Sequence, residues 1–332
     1  MTASLERSEP VMRACDEIVL LGDIGATNAR FALLADGVLG PITWIEVASH
    51  PQFGDAVAAL LQAQFRDTAV SDALLAVAGP VVGGRCAFTN CPWTIDAGEV
   101  RDRFDFDTVR VINDFEATAL SLPHLVEQDL RALGGGRAVP GAPMAVLGPG
   151  SGLGVACLVG DGAHRIVVPS EGGHATMPAS SRREDAILDH LRERFGHVSA
   201  ERVLSGPGLE NLYRAVAAVD GIEAPPRNAV EITNAALRDS GETAWAALDM
   251  FCAMLGAFAG NVALTYGARG GVYIAGGIAP RILDHLAGSA FRQRFEHKGR
   301  FRPYLEAIPT NVIVHPAATF LGLKSLAERG VR

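Results

Sequence analysis

Several short stretches carry residue types at spacings that could do chemistry on a small, polar ligand. The first is Leu20-Leu21-Gly22-Asp23-Ile24-Gly25-Ala26-Thr27-Asn28-Ala29-Arg30. Successive backbone N–H groups in such a turn can cup an anion, and Asp23 could hold a hydrated divalent cation beside it. An ordinary hairpin turn uses the same residues. The second stretch is Ile112-Asn113-Asp114-Phe115, where a carboxylate follows an apolar run. A carboxylate at the carboxyl end of a buried strand faces the ligand crevice of an α/β protein. It could equally cap the following helix, and the two uses are compatible.

A second glycine cluster, Gly148-Pro149-Gly150-Ser151-Gly152-Leu153-Gly154, lies further on. It departs from the dinucleotide fingerprint, because leucine stands at 153 where a glycine is needed and a strand follows it. Nor does Ser151 sit in a nucleophile elbow. Ser170-Glu171-Gly172-Gly173-His174 places glycines between an acid and a histidine, which allows close backbone approach to a ligand. No paired-cysteine or His-Glu-x-x-His pattern makes this a metal site. Glu201, before the turn Leu204 to Gly208, reads alone as a solvated or helix-capping acid. Gly276-Gly277 could let a flat ring lie against the backbone, or simply turn a strand into a helix. Asn90, in Thr89-Asn90-Cys91-Pro92-Trp93, reads as a turn residue, with Trp93 placed to reach a cleft.

The elements that must position these groups follow from the apolar pattern. Ile18 to Leu21 and Phe31 to Leu34 flank the first turn, so it is the tip of a hairpin. Ala145 to Leu147 and Val155 to Val159 flank the second glycine cluster in the same way. Further strands are expected at Ile42 to Val47, Ala73 to Ala78, Cys86 to Thr89, Val109 to Ile112, Val272 to Ala275 and Val312 to Val314. Helices are expected at Gln52 to Phe65, Phe115 to Leu120, Arg183 to Phe195, Asn228 to Arg238, Thr243 to Tyr266 and Ala317 to Glu328. Arg131 to Pro143, rich in glycine and proline, reads as surface loop. Two hairpins of like architecture in two halves suggest two lobes clamping one anionic ligand.

The whole chain bounds the chemistry. Its 332 residues suffice for two domains, and 48% hydrophobic with 20% charged residues is ordinary globular composition. A formal net charge of −8, with no basic run, disfavours a nucleic-acid surface and favours small-molecule work. The only lysines are Lys298 and Lys324, so neither a Walker loop nor a lysine-dependent protein-kinase site is present. The scattered cysteines fit free thiols in a reducing, cytoplasmic setting. Met250 to Ala268 approaches membrane-spanning length, yet its glycines, Asn261 and Thr265 favour a buried helix, and no membrane partner is expected.

Taken in order, Gly22 to Arg30, Ile112 to Phe115, Gly150 to Val155, Glu171 to His174, Gly196 to Leu209 and Gly270 to Ile278 resemble the bacterial glucokinases of the non-repressor type, within the hexokinase and actin-like ATPase superfamily. The resemblance runs from about Ile18 to the C-terminal helix. It implies an α/β fold of two RNase H-like lobes with a catalytic cleft between them, the last helix returning to the first lobe. The expected division is a flexible leader over 1–16, a small lobe over 17–122 with 315–332, and a large lobe over 123–314.

The resemblance also implies ATP-dependent phosphorylation of glucose at its 6-hydroxyl, with ATP and Mg²⁺ as the nucleotide and metal. Asp114 matches the family's general base. Asn113, Glu171, His174 and Glu201 match sugar ligands, and Asn90 joins them as a candidate. Asp23, Gly25, Ala26, Thr27 and Asn28 match the first phosphate loop, with Asp23 holding Mg²⁺ through water. Gly150, Ser151 and Gly152 match the second phosphate loop, and Gly276 and Gly277 the adenosine motif. Ala26, Pro149 and Ser151 depart from the family's usual glycine, alanine and threonine, which bears on phosphate geometry. The expected partners are glucose and ATP, with no nucleic acid, and the expected assembly is a homodimer. The alternatives are a kinase for another hexose, a phosphohydrolase of the same superfamily and a non-catalytic sugar sensor.

Overall fold

The computed structural model describes residues 18–66, 68–88, 91–238 and 242–330, so the 1–16 leader and Asn90 lie outside the described residues. β1 (Val19–Ile24) turns into β2 (Asn28–Ala35), antiparallel, with Asp23 opposite Arg30. β3 (Val38–Leu39) and β4 (Thr43–Glu46) both pair with β2. After α1 (Phe53–Gln64), β5 (Asp72–Val77) runs parallel to β1 and is buried along its whole length, as a continuous apolar run between two covered faces should be. A small hairpin, β6 (Arg85–Ala87) with β7 (Thr94–Asp96), leads into α2 (Ala97–Phe104), which Asp96 caps. β8 (Thr108–Asn113) then pairs in parallel with β5. The first sheet therefore has the order β3-β2-β1-β5-β8, with β4 beside β2.

α3 (Asp114–Ser121) begins at the residue after β8. Beyond it come β9 (Leu130–Gly134), β10 (Met144–Pro149), β11 (Leu153–Val159) and β12 (Ile166–Ser170). The helices α4 (Arg182–Phe195), α5 (Gly206–Asp220), α6 (Ala229–Arg238) and α7 (Thr243–Tyr266) follow. β13 (Val272–Ile274), the short helices α8 (Leu283–Gly288), α9 (Phe291–Glu296) and α10 (Arg302–Glu306), β14 (Thr310–Ile313) and α11 (Ala318–Glu328) complete the chain. The second sheet has the order β12-β11-β10-β13-β14-β9. Its hairpin and parallel pairs repeat those of the first sheet, so the two halves share one topology.

One expectation is corrected here. Part of the Arg131 to Pro143 segment is a strand: β9 pairs antiparallel with the edge of β14. Its glycines and polar residues hid a strand that exists only because a partner almost 180 residues later supplies the hydrogen bonds.

The sheets and helices stack in five layers. Leu20, Leu75 and Val77 point from the first sheet to α1 and α2, while Leu21, Leu74 and Ala76 point the other way. That second face shares a core with Val146, Ala156 and Tyr273 of the second sheet, and α3 and α11 fill the space between. Gly322 of α11 lies so close to the Ala117 carbonyl of α3 that a Cβ would overlap it. The remaining face of the second sheet carries α4 to α9. α7 is long and apolar enough to cross a membrane, but 78% of its most apolar stretch is buried within that core.

Candidate functional site

The middle layer fixes Asp114. β8 delivers it to the first position of α3, where the chain changes from strand to helix. Asn113 is the N-cap: its Oδ1 accepts from the Phe115 N–H at 2.8 Å, and its Nδ2 donates to the Gly79 carbonyl at 3.1 Å. The Asp114 carboxylate shares the Phe115 N–H at 3.0 Å. The reading of Asp114 as the cap is therefore revised; its neighbour does that work and leaves Asp114 with lone pairs to spare. Asn113 keeps one amide hydrogen and one lone pair for a ligand hydroxyl.

Burial, and then the negative charge of Asp23, push the Asp114 carboxyl up to about 7. The Phe115 N–H opposes this, and Glu171 adds a smaller push from the second lobe. An acid tuned to neutrality, with two more carboxylates close enough to feel, has the character of a proton-transfer group.

Asp23 at the first hairpin acts on it, and the second hairpin meets its neighbour Phe115 at Gly154. Gly25 N–H donates to the Asn28 carbonyl at 3.0 Å, closing the first tip and leaving Thr27 and Asn28 exposed. Gly150 N–H donates to the Gly152 carbonyl at 2.8 Å at the second, with Ser151 exposed between them. Gly276 and Gly277 are exposed just after β13, and Gly276, at a φ of +82°, passes against the Pro149 carbonyl. The expected adenosine motif thus adjoins the second phosphate loop.

Asp23 is held by Arg30, whose two bonds to it both fall on Oδ2. Oδ1 remains for a hydrated cation. Among the described residues no cluster of three or more metal-ligating side chains exists. A free carboxylate oxygen of this kind could take Mg²⁺, which binds one or two carboxylates and fills its remaining positions with water and phosphate oxygens.

The other sugar candidates, Glu171, His174 and Glu201, come from the second lobe. Glu171 and His174 flank a single helical turn, with His174 Nε2 3.7 Å from Glu171 Oε2, and both side chains are exposed. Glu201 departs from a solvated acid: it is half-buried, and its Oε2 accepts from the Leu153 N–H at 2.9 Å. Trp93 departs from its expected place. It is 1% exposed, packed edge-on against Phe53, with its indole N–H on the His50 carbonyl. A cavity of about 290 Å³ between α1, α2 and Pro92 lies on that same outer face and shares no residue with the site.

Three residues escaped sequence reasoning. Arg30 pairs with Asp23 because the two face each other across the hairpin, a register legible from the turn length. Phe115 lies over Gly154, and Leu153 meets Glu201; both contacts join distant segments and had no local signal.

The glucokinase family model matches residues 20–330. A glucokinase of Paramagnetospirillum magneticum is 45% identical over 313 residues, covering 93% of this chain and 97% of its own. The crystal structure of a glucokinase from an Antarctic psychrotroph superposes with a TM-score of 0.84 at 36% identity, covering 95% of this chain and 99% of that one. A glucokinase of Streptomyces griseus, solved with glucose and AMPPNP, shares the fold with a TM-score of 0.65 at 19% identity, covering 94% of this chain and all of its own.

Proposed function

Since this chain belongs to the glucokinase family, whose members phosphorylate glucose with ATP, we propose that Asp114 is the general base of that reaction. The observation that carries this reading is the Asp114 carboxyl itself: at the strand end, at the head of α3, and raised to about 7. A sugar hydroxyl is a poor nucleophile until a carboxylate takes its proton as the new bond forms, and a base near the working pH does this best.

Asn113, Glu171, His174 and Glu201 hold the sugar so that its 6-hydroxyl points at Asp114, and Asn90 belongs to the same reading. The backbone N–H groups of 25–28 and 150–152 receive the phosphates, with the side chains of Thr27, Asn28 and Ser151 beside them. Gly276 and Gly277 give the adenosine a flat backbone to lie on. Asp23 would hold Mg²⁺ through water, and the ion would supply neutralisation of the charge that builds on the transferring phosphate. The lobes 17–122 with 315–332, and 123–314, close over the sugar and keep water, itself a hydroxyl nucleophile, from the phosphoryl group. A cytoplasmic homodimer completes the reading, and sedimentation of the purified chain tests the dimer.

The deciding experiment is a coupled ADP-release screen over a hexose panel with the native chain and Asp114→Asn. Strong turnover confined to glucose, lost in the variant, is expected. Equal turnover on mannose or fructose would widen the substrate class, and nucleotide hydrolysis indifferent to hexose would favour a phosphohydrolase.

A further inference from the structure

We infer that Glu201 and the Leu153 backbone amide form a joint through which captured sugar sets the second phosphate loop, so that hexose and nucleotide bind cooperatively. The inference rests on the glucokinase reading above and goes beyond it, because it gives Glu201 a second task on a residue that touches no sugar.

Three segments close a ring at this point. The Leu153 N–H donates to Glu201 Oε2 at 2.9 Å. The Glu201 N–H donates to the Gly173 carbonyl at 2.9 Å. Gly173, in turn, lies against the Leu153 carbonyl so closely that a Cβ would overlap it. Leu153 is thus gripped on both sides of its residue by the elements that carry the sugar candidates Glu171, His174 and Glu201. It is also the first residue of β11, immediately after Gly150-Ser151-Gly152.

The other end of the loop is tied to the same segment as Glu201. The Gly206 N–H donates to the Gly150 carbonyl at 2.8 Å, and the Ser205 hydroxyl donates to the Glu201 carbonyl at 2.8 Å. Both ends of the phosphate loop therefore depend on the Glu201 to Gly206 turn. Gly152 leaves room for the carboxylate: a Cβ there would sit 2.5 Å from Glu201 Oε2.

A carboxylate has lone pairs for several donors, so a sugar hydroxyl can take Oε1 while Oε2 keeps Leu153. Covering Glu201 with sugar removes water from it and strengthens the charge-assisted bond to the amide. The loop is then ordered before nucleotide arrives, and the second ligand meets less of the ordering cost. By linkage, nucleotide must tighten sugar binding by the same factor. The link favours phosphate binding when an acceptor hydroxyl is already in place.

The test is calorimetric titration of the full chain with a non-hydrolysable ATP analogue and Mg²⁺, with and without saturating glucose. The native protein should bind the analogue at least about fivefold more tightly with glucose present, within the usual range of allosteric coupling. Glu201→Ala, saturated with glucose at its own weaker affinity, should bring that ratio close to one. His174→Ala should weaken glucose binding and keep the ratio. Glu201→Gln, which preserves shape and can still accept from Leu153 without the charge, should give an intermediate ratio, and it carries the test if the alanine variant does not fold. In a ¹⁵N-labelled sample, glucose should shift the Leu153 amide resonance in the native chain and not in Glu201→Ala. Glucose binding without coupling, or a Glu201→Ala ratio equal to the native one, overturns the joint and leaves the glucokinase reading standing. No glucose binding at all would overturn both.

Discussion

Phe115 lies directly over Gly154, its ring occupying the space that a Cβ at 154 would need. The contact joins the residue next to Asp114 to the strand that leaves the second phosphate loop, and so links the two halves of the site through α3. Gly154→Ala should push α3 away from β11 and lower kcat, with an overpacking cost of about 1–3 kcal/mol in stability. Phe115→Leu in the same chain should recover part of both losses, since it removes the ring edge that clashes. Steady-state kinetics and thermal melts of the two single variants and the double variant check this; losses that simply add would mean that the contact has no part in setting the site.

Asp114→Asn should keep glucose binding and lose turnover by about 10²–10⁴-fold. Stability should move the other way. Burial and the Asp23 charge raise the folded carboxyl from 3.8 to about 7, so the folded chain holds the proton more tightly than the unfolded one. Stability contributed by that proton is present below about 3.8 and is lost as pH rises through about 7. The asparagine variant should therefore melt higher than the native chain at pH 8, and the gain should shrink towards pH 4. Near-normal turnover of the variant would end the role of Asp114 as base.

The native pH profile should carry the same signature. A base with a carboxyl near 7 is active when ionised, so kcat/KM for glucose should fall as pH drops through about 7. A profile flat down to pH 5 would place the essential ionisation elsewhere.

Arg30 holds more than Asp23. Its Nη1 donates to the Pro316 carbonyl at 2.9 Å, and its guanidinium lies 5.2 Å from the Trp44 ring centre and 5.6 Å from that of Phe320 in α11. Arg30→Ala leaves the Asp23 charge unpaired beside Asp114, so the acid limb of the pH profile should move to higher pH. Arg30→Lys should restore the position of the limb more than the stability, because a lysine supplies the charge without the planar fork. An unmoved limb in Arg30→Ala would make the residue a structural tie only.

Glucose, without nucleotide, should close the cleft, because its proposed ligands come from both lobes and a closed form would make more contacts with them. Small-angle scattering should show compaction, and Glu171→Ala should weaken compaction and glucose affinity together. The fluorescence reporter should be Trp44, 63% exposed and stacked near Arg30, since Trp93 is sealed in the outer core of the first lobe. Compaction by ATP analogue alone, with glucose inert, would reverse the order of events.

By itself the sequence determined whatever depends on neighbours along the chain. The two glycine hairpins, the buried strand at Val109 to Ile112 and the helix over Phe115 to Leu120 follow from turn residues and apolar runs within a few positions, although the cap of that helix is Asn113 and not Asp114. α7 spans the expected Thr243 to Tyr266, and the structure shows that Gly267, in the left-handed region at a φ of +62°, is what stops it. Tertiary structure decided whatever needs a distant partner. β9 is a strand because β14 stands at its side, and Trp93 is core because α1 brings Phe53 to it. The Asp114 carboxyl is raised because folding buries it and carries Asp23 and Glu171 towards it. Glu201 reads alone as a solvated acid; only the return of the chain to Leu153, 48 residues earlier, makes it a hydrogen-bond acceptor for the second glycine hairpin. Local propensity acts over a turn or two, whereas a hydrogen bond between remote segments and the field at a buried carboxylate exist only once the chain has closed on itself.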